Sequence, residues 1–479
     1  MNRLYFMLEK NILNRDLYRK ITLVICLLYF MPSTLSLTNL PMKIAFLWGL
    51  LIALYEFLIK KNFFNMKYKW LLIAILLSFF ITIILNINHL FLPSVYNFGY
   101  LIISLVVFFP ADIKQTQEQR KEEMYTFNMI FIGVVFIAAV VSLVQFLFLI
   151  SYHVPTGTPG LLARQGFMEH RLFGIYTSPN VGEIFGYCSI VLSVINLLLK
   201  KSTMKMKLFF FFNFAIQLIY LILSSSRGGQ VVTISFLVLS LLLYVIPKFR
   251  NTFYEVTNIR NRWMIFTILF LLLFLLFGNT LTKNMLGKIP TMFENKTEFL
   301  KEDKEVSGEE KIVIEHSDEN AELSAGRFTI WQAGFKTLNQ SPLFGYGETD
   351  FYGNSDGSIL DKVNLSTLDK NELKRAHGNM HNGYVQVLVI SGIVGFVFIY
   401  TFYAFNILSL IKRFVSTENN SPSNSDYLLL GIILVFMITI FIDEMVEVHL
   451  LFNKRDVISM IFWYYLGYLS NLYLKKGEK

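Results

Sequence analysis

The chain has 479 residues, of which 54% are hydrophobic and only 16% charged, whereas soluble domains are about 45–50% apolar and about 25% charged. This composition excludes a soluble enzyme, a disordered chain and a secreted disulfide scaffold, and both cysteines lie within apolar runs. The net charge of +9 is distributed in a way that indicates membrane topology rather than nucleic-acid binding.

Apolar runs long enough to cross a bilayer recur along the whole chain. A transmembrane helix needs about 20 mostly apolar residues, and about twelve runs approach that length. We therefore predict an all-α, polytopic membrane protein in which residues 1–479 form a single membrane domain. Pro32 interrupts the first run, and Pro93 and Asn97 interrupt the fourth. The predicted spans are 21–38, 42–59, 70–87, 91–109, 127–150, 180–199, 207–224, 229–247, 262–279, 383–411, 427–446 and 457–474.

Lysine and arginine predict the orientation of these spans. With the N-terminus in the cytoplasm, the inside tails and loops carry 25 of the 43 basic residues, the short outer loops carry 6, and the other 12 lie in one long loop. Short cytoplasmic loops of membrane proteins carry the excess of basic residues. Both termini are therefore predicted to be cytoplasmic, and residues 280–382, between the ninth and tenth spans, form a large loop on the outer face.

Two arginines in short outer loops depart from this rule. Arg227 lies in the sequence SSSRGG at 224–229, where two glycines permit a sharp turn at the membrane edge. Its simplest interpretation is a side chain that reaches the lipid headgroups, and a binding role is the alternative. Arg171 lies shortly before the sixth span, where we expect Asn180 to cap the helix with Glu183 at the capping-box position.

The long outer loop has three parts. Residues 294–322 hold eleven acidic and four basic residues and predict a solvated excursion. Residues 324–340 predict a helix capped by Ser324, with an aromatic stripe that faces the membrane surface and comprises Phe328, Trp331, Phe335 and Leu338. Arg327 falls in the first turn of this helix, where the positive end of the helix dipole disfavours a cation that lacks an anionic partner.

The third part of the loop leads into the tenth span. It contains the tight turn PLFGYG at 342–347 and the sequence AHGNMHNGYVQ at 376–386, which places His381 at the mouth of the span. Guanidinium groups bind phosphate through paired hydrogen bonds, and a neutral imidazole can accept a proton from a hydroxyl. Because the sequence has neither metal-ligand spacing nor a nucleotide-binding loop, a phosphate-bearing, lipid-borne substrate at the outer surface fits these residues.

These motifs, in this order, resemble those of the O-antigen ligase and polymerase family (Wzy_C). The resemblance rests on the SRG turn, the GR-to-W helix that leads to PLFGYG, and HNGYVQVLVISGIVGF at the tenth span, and it covers roughly residues 169–400. It implies a metal-independent, inverting glycosyltransferase that needs no cofactor. The donor would be a glycan carried on undecaprenyl pyrophosphate, and the acceptor would be a hydroxyl of a second glycan.

The resemblance also implies roles for individual residues. Arg227 and Arg327 would bind the pyrophosphate and stabilise the charge of the leaving group, and His381 would orient or deprotonate the acceptor hydroxyl. These three are the predicted catalytic residues. Arg171, which matches an R-x-x-G…PN element, and Asn382, beside the histidine, are predicted to bind substrate.

One position departs from the family pattern. Ile390 stands where family members often carry an acid, so any role of that acid falls to another residue. Asp443, Glu444 and Glu447, at the end of the eleventh span, are the candidates, with a solvated helix end as the other interpretation. We predict that Asp443 binds substrate, because it lies deepest in the span, where ionisable groups are usually functional.

Polymerase, ligase and transporter remain open at this point. A composition rich in Lys, Asn, Ile and Phe is typical of AT-rich genomes, as in many Gram-positive bacteria, which have no lipid A-core, and this favours a polymerase of capsule, exopolysaccharide or cell-wall glycan. The expected partners are the lipid-linked donor, the acceptor glycan, the bilayer, and a flippase and chain-length regulator of the same pathway, without nucleic acid. A ligase would transfer the glycan to lipid A-core, whereas a transporter or flippase would carry charges near the membrane midplane.

Overall fold

The helices of the computed structural model follow the predicted apolar runs. The structure describes residues 9–88, 90–112, 114–156, 162–200, 202–291, 314, 326–349, 363–416 and 424–472. The acidic stretch 294–322, apart from Ile314, and the proposed cap Ser324 lie outside these residues. The helices are α1 (Arg15–Tyr29), α2 (Leu35–Tyr55), α3 (Lys69–Leu85), α4 (Phe91–Ile102), α5 (Gln117–Leu147), α6 (Pro179–Leu199), α7 (Met204–Ser224), α8 (Arg227–Val245), α9 (Pro247–Thr257), α10 (Asn261–Leu273), α11 (Asn279–Leu286), α12 (Arg327–Leu338), α13 (Thr367–Arg375), α14 (Gly383–Ser416), α15 (Asn424–Asp443) and α16 (Val457–Leu472).

The fold class is confirmed as all-α and polytopic. Within the described part of the chain, nine helical segments are long and apolar enough to cross a membrane, and two further apolar helices, Lys69–Leu85 and Val457–Ser470, are shorter. Several of the nine join helices through π-helical turns, as at Phe274–Gly278, where the ninth predicted span continues to Leu286. The count of twelve spans, the cytoplasmic termini and the outer face stay predictions.

The boundaries predicted for the first two spans are wrong. Helix α1 ends at Tyr29, before Pro32, and α2 begins at Leu35, because a proline removes a backbone donor and ends a helix. Helix α1 extends instead towards its N-terminus, where Arg15 pairs with Glu56 and Arg19 pairs with Glu123. Charged residues can enter this helix because each finds a partner in the bundle.

A small antiparallel sheet, which the sequence analysis did not predict, lies between α5 and α6. Its strands are β1 (Ser151–Pro155), β2 (Leu162–Met168) and β3 (Arg171–Gly174), in the order β1-β2-β3. The sheet packs on the bundle, because the backbone N–H of Ile175, directly after β3, donates to Ser142 Oγ of α5 at 3.1 Å. The predicted binding residue Arg171 therefore begins a strand.

The PLFGYG turn packs into a break in α14. Gly392 has φ 64° and ψ −174°, which interrupts the helix, and the amides of Ile393 and Val394 donate to the carbonyls of Pro342 and Leu343 at 2.8 and 3.1 Å. In return, the amides of two turn residues, Tyr346 and Gly347, donate to carbonyls of α14, those of Val389 and Ile390. A broken helix is tolerated in a membrane protein when its freed backbone groups find partners inside the protein.

Polar side chains from two other helices hold the carbonyls of the same turn. Thr82 Oγ1 donates to the Phe344 carbonyl at 2.7 Å. Asn86 Nδ2 donates to the Gly345 carbonyl at 3.0 Å, and Asn97 Nδ2 donates to the Gly347 carbonyl at 2.8 Å. Asn97, which interrupts the fourth apolar run, thus has a structural partner. The PLFGYG turn and α14, which directly follows the HN pair, are separate motifs in the sequence but form one structural unit.

The aromatic stripe predicted for the loop helix is only partly packed against the protein. Helix α12 buries Ile330, Ala333 and Thr337, whereas Phe328 is 63% exposed and Phe335 46% exposed. The opposite face of α12 is buried because it packs closely on α14: a Cβ added at Gly334 would be 3.0 Å from Val385 Cγ1. The predicted contact of the aromatic stripe with the membrane surface stays a prediction.

Candidate active site

Glu447 joins three elements at one end of the bundle. Arg327 Nη2, at the start of α12, donates to Glu447 Oε1 at 3.0 Å. His381 Nδ1, just before α14, lies 3.3 Å from Glu447 Oε2, and Asn180 Nδ2 of α6 donates to Glu447 Oε1 at 2.9 Å. The structure thus places two of the predicted catalytic residues, Arg327 and His381, on one carboxylate.

The turn that carries His381 has a constrained backbone. His381 has φ 46°, in the left-handed region that is uncommon for residues other than glycine. Its amide donates to Asn379 Oδ1 at 2.8 Å, and the preceding amide of Met380 donates to Gln386 Oε1 at 2.9 Å. Such backbone strain persists where the surrounding structure holds it, and it is frequent at functional sites. Gln386, the last residue of the HNGYVQ sequence, therefore helps to hold the histidine.

Glu447 remains a carboxylate near neutral pH. Burial alone would raise its pKa, but the hydrogen bond and charge of His381, together with the charge of Arg327, lower the pKa below its ordinary value. Arg327 has in Glu447 the anionic partner that its place at a helix N-terminus requires. Its side chain is 24% exposed, so the guanidinium, which has five N–H donors, also reaches the surface.

The SRG turn lies beside this cluster. Ser225 has φ 53°, and α8 begins at Arg227, whose side chain is exposed. A Cβ added at Gly228 would be 3.8 Å from Val446 Cγ2, next to Glu447. The turn that carries Arg227 and the segment that carries Glu447 are therefore neighbours, although they are far apart in the sequence.

Below the turn lies a buried carboxylate. Glu183 is fully buried in α6, and a Cβ at Gly229 would be 2.1 Å from its carboxyl carbon. Its Oε2 accepts from Ser224 Oγ at 3.5 Å. The second glycine of the SRGG sequence is therefore required by close packing on Glu183, and Glu183 is not part of a capping box.

Two of the predicted binding residues have structural contacts in this region. Arg171 Nε donates to the Ser224 carbonyl at 3.0 Å and so ties β3 to the SRG turn. Asn382 Oδ1 accepts from the amides of Tyr384 and Val385 at 3.0 and 3.1 Å and so caps α14. Its amide nitrogen donates to the Met445 carbonyl at 3.1 Å. Whether either residue also binds substrate stays a prediction.

Asp443 does not join Arg327 and His381. Its Oδ2 lies 3.1 Å from Nε2 of His449, whose Nδ1 lies 2.9 Å from Asp456 Oδ2. The three side chains are buried. Among the acids proposed to replace the one missing at position 390, Glu447 is the residue that reaches the arginine and the histidine.

Sequence reasoning missed two sets of contacts in and around the site. Asn180 does not cap α6, because the side chain of Ser178 accepts from the Val181 amide and Pro179 opens the helix; Asn180 contacts Glu447 instead. Proline is favoured in the first turn of a helix, directly after a serine cap, so the sequence SPN contained the correct signal. Nothing in the sequence around His449 distinguishes it from a solvated histidine.

The central part of the chain matches a known family. Residues 212–400 match the family model described as O-antigen ligase, and this region includes the SRG turn, α12, the PLFGYG turn and the HN sequence. A search of curated proteins finds no match. The match shows that this part of the chain is similar to the O-antigen ligase family.

Proposed function

We propose that the protein is a bacterial surface-polysaccharide polymerase that acts at the outer face of the cytoplasmic membrane. It transfers a glycan from a polyprenyl-pyrophosphate carrier to a hydroxyl of an acceptor glycan. The acceptor oxygen forms a bond to the anomeric carbon of the donor, the bond from that carbon to the pyrophosphate breaks, and the carrier leaves with the bonding electrons. The family match supports the coarse reaction class, and the finer assignment is our proposal.

The arrangement of His381 and Glu447 carries this proposal. A protonated Nδ1 that faces the carboxylate of Glu447 leaves the lone pair of the imidazole on Nε2. Nε2 can then accept the proton of the acceptor hydroxyl as the new bond forms. The carboxylate also stabilises the positive charge that develops on the imidazole.

Arginines supply the complementary charge for the departing pyrophosphate. Arg327 keeps donors beyond the one that Glu447 accepts, and Arg227 lies on the neighbouring turn. Preorganised cations at the position where negative charge develops lower the barrier for the departure of the leaving group. In this proposal, Arg227 and Arg327 bind the pyrophosphate, while Arg171 positions the turn through the Ser224 carbonyl.

The test uses purified protein in nanodiscs and a short repeat unit linked to polyprenyl pyrophosphate. A gel should show a ladder of longer lipid-linked chains with the unaltered protein. His381→Ala and Arg327→Ala should abolish the ladder. His377→Ala is the matched control, because His377 is an exposed histidine of the same loop, and it should leave the ladder intact.

The acceptor distinguishes the two activities within the family. If lipid A-core receives the glycan in a single step and no ladder forms, the protein is a ligase and the polymerase proposal is wrong. If no acceptor receives glycan, although the protein is folded and the donor intact, glycosyl transfer itself is contradicted. A ladder that persists in His381→Ala would exclude the assigned site.

A further inference from the structure

The segment that carries Glu447 has no regular secondary structure to hold it. Residues 444–456 connect α15 to α16 through turns and bends. Asp456 fixes the far end, since its Oδ1 accepts from the amides of Ile458 and Ser459 at 2.7 and 3.2 Å and caps α16. Asp443 fixes the near end as the last residue of α15. The position of Glu447 therefore depends on side-chain and backbone contacts rather than on a helix or strand.

His449 connects the two ends. Its imidazole lies between the carboxylates of Asp443 and Asp456, 3.1 Å from the first and 2.9 Å from the second, and its side chain is only 9% exposed. Asn453 Nδ2 donates to the same Asp456 oxygen at 2.8 Å. Both ring nitrogens thus face carboxylate oxygens, and only an imidazolium has a donor for each of them.

Glu444 makes contacts within the segment and also joins it to the turn of His381. Its Oε1 accepts from the amides of His449 and Leu450 at 2.6 and 2.8 Å. The backbone carbonyls of Glu444 and Glu447 both accept from the Gly383 amide, at 2.7 and 3.1 Å. Gly383 is two residues from His381, so the segment and the catalytic turn are joined through the backbone directly beside the Glu447 side chain.

We propose that His449 is a positioning residue for the glycosyl-transfer site, which clamps residues 444–456 so that Glu447 meets both His381 and Arg327. The clamp acts through geometry, because His449 itself contacts Asp443 and Asp456 rather than either predicted catalytic side chain. The kinetic part of this inference rests on the proposed function, whereas the placement of Glu447 against His381 can be tested without any glycan substrate.

The charge of the clamp is stable across neutral pH. The acidic groups that face His449 or act on it are Asp443, Asp456, Glu444 and Glu447. Burial would lower the pKa of His449, but the two contacting aspartates raise it well above its ordinary range. Burial raises the pKa of Glu444 to about 8. The imidazolium therefore persists through neutral pH, while Glu444 adds little negative charge.

The first test measures the surroundings of His381 directly. Diethyl pyrocarbonate labels accessible imidazoles, and fragmentation mass spectrometry resolves His381 from the exposed His377, which serves as the internal reference. His449→Gln should change the labelling rate of His381 relative to His377 at least threefold, because Glu447 is no longer held against its Nδ1. His153→Gln, which alters an exposed histidine of β1, is the matched control and should change nothing.

The second test separates positioning from binding in the glycosyl-transfer assay. His449→Gln should lower kcat at least tenfold while KM stays within twofold. If the single variant does not fold, the double variant His449→Gln/Asp456→Asn replaces the charges of these two residues by neutral groups of similar shape and keeps a helix cap, since asparagine caps well. A folded variant with unchanged His381 labelling overturns the proposal. If the unaltered protein transfers no glycan but His449→Gln changes the labelling rate of His381, the clamp is supported and the proposed function is contradicted.

Discussion

Two histidines lie against carboxylates at the same end of the bundle, and they differ in what they leave exposed. His381 contacts one carboxylate, that of Glu447, and its side chain is 33% exposed. His449 lies between two carboxylates, and its side chain is 9% exposed. A histidine that acts on a substrate needs one ring nitrogen free, whereas one that uses both nitrogens within the protein can only hold structure. In our proposal, the same residue type thus supports chemistry in one place and holds structure in the other.

The largest effect should separate these two roles. His381→Gln should lower the transfer rate by about 10²–10⁴, the usual contribution of a general base, and change the melting temperature by less than about 2 °C, as expected for a partly exposed residue. His449→Gln should instead lower the melting temperature clearly, because breaking a buried ion pair costs about 3–5 kcal/mol. Fluorescence-detected melting and the gel assay measure the two effects, and a reversed pattern would contradict the comparison.

The packing of the PLFGYG turn into the break of α14 can be tested next. Gly392→Ala should greatly reduce the yield of folded protein, because an added Cβ would lie 2.3 Å from the Leu343 carbonyl oxygen and the residue has φ 64°, and such backbone strain alone costs about 1–3 kcal/mol. Gly133→Ala is the control, since nothing lies within 4 Å of a Cβ there. Size-exclusion chromatography in detergent reports the yield, and equal yields for both variants would refute the close packing.

A smaller effect is expected when the carboxylate beside His381 loses its charge. Glu447→Gln should lower the transfer rate about 10–100-fold, equivalent to about 1.4–2.7 kcal/mol of transition-state stabilisation. The amide keeps a similar shape but no longer stabilises a charged imidazole or Arg327. Glu372→Gln, which alters a carboxylate that pairs with Arg375 on α13, should leave the rate within twofold. A Glu447→Gln enzyme of full activity would restrict Glu447 to a structural role.

The smallest effect concerns stability against pH beside His449. The folded pKa of Glu444 is raised to about 8, so between about pH 4.5 and 8 the folded state binds more protons than the unfolded state, and stability falls as pH rises through this window. Glu444→Gln should therefore gain stability relative to the unaltered protein as pH rises from 5 to 9. Melting temperatures across this range test the sign, and parallel curves would contradict the raised pKa.

Glu447 adds the opposite dependence at low pH. Burial raises the pKa of Glu447 in the folded state, but His381 and Arg327 outweigh burial and lower that pKa below its ordinary value. Its contribution to stability is therefore present above the unfolded pKa of about 4.3 and is lost as pH falls through the folded pKa. The two glutamates, three residues apart, thus respond to pH in opposite directions, because burial dominates at Glu444, whereas His381 and Arg327 outweigh burial at Glu447.

Much of the architecture could be predicted from the sequence, because long apolar runs have few alternatives to membrane helices. Arg327 and His381 could be selected from their motifs, and the need of Arg327 for an anion followed from its place in a helix. The sequence could not show that Glu447, rather than Asp443, contacts Arg327 and His381, since depth in a span does not show which way a turn directs its side chains. Residues 444–456 have no periodicity from which to infer contacts.

The sequence by itself determined the all-α membrane class and the motifs that the family shares, because hydrophobicity and glycine spacing are local properties of the chain. Only the tertiary structure decided that Glu447 joins Arg327 to His381, that Glu183 lies beneath the SRG turn, and that His449 is enclosed by Asp443 and Asp456. These contacts connect residues from separate helices and loops. Their partners are selected by burial, because a charged group removed from water is stable only beside an opposite charge or a hydrogen-bonding group.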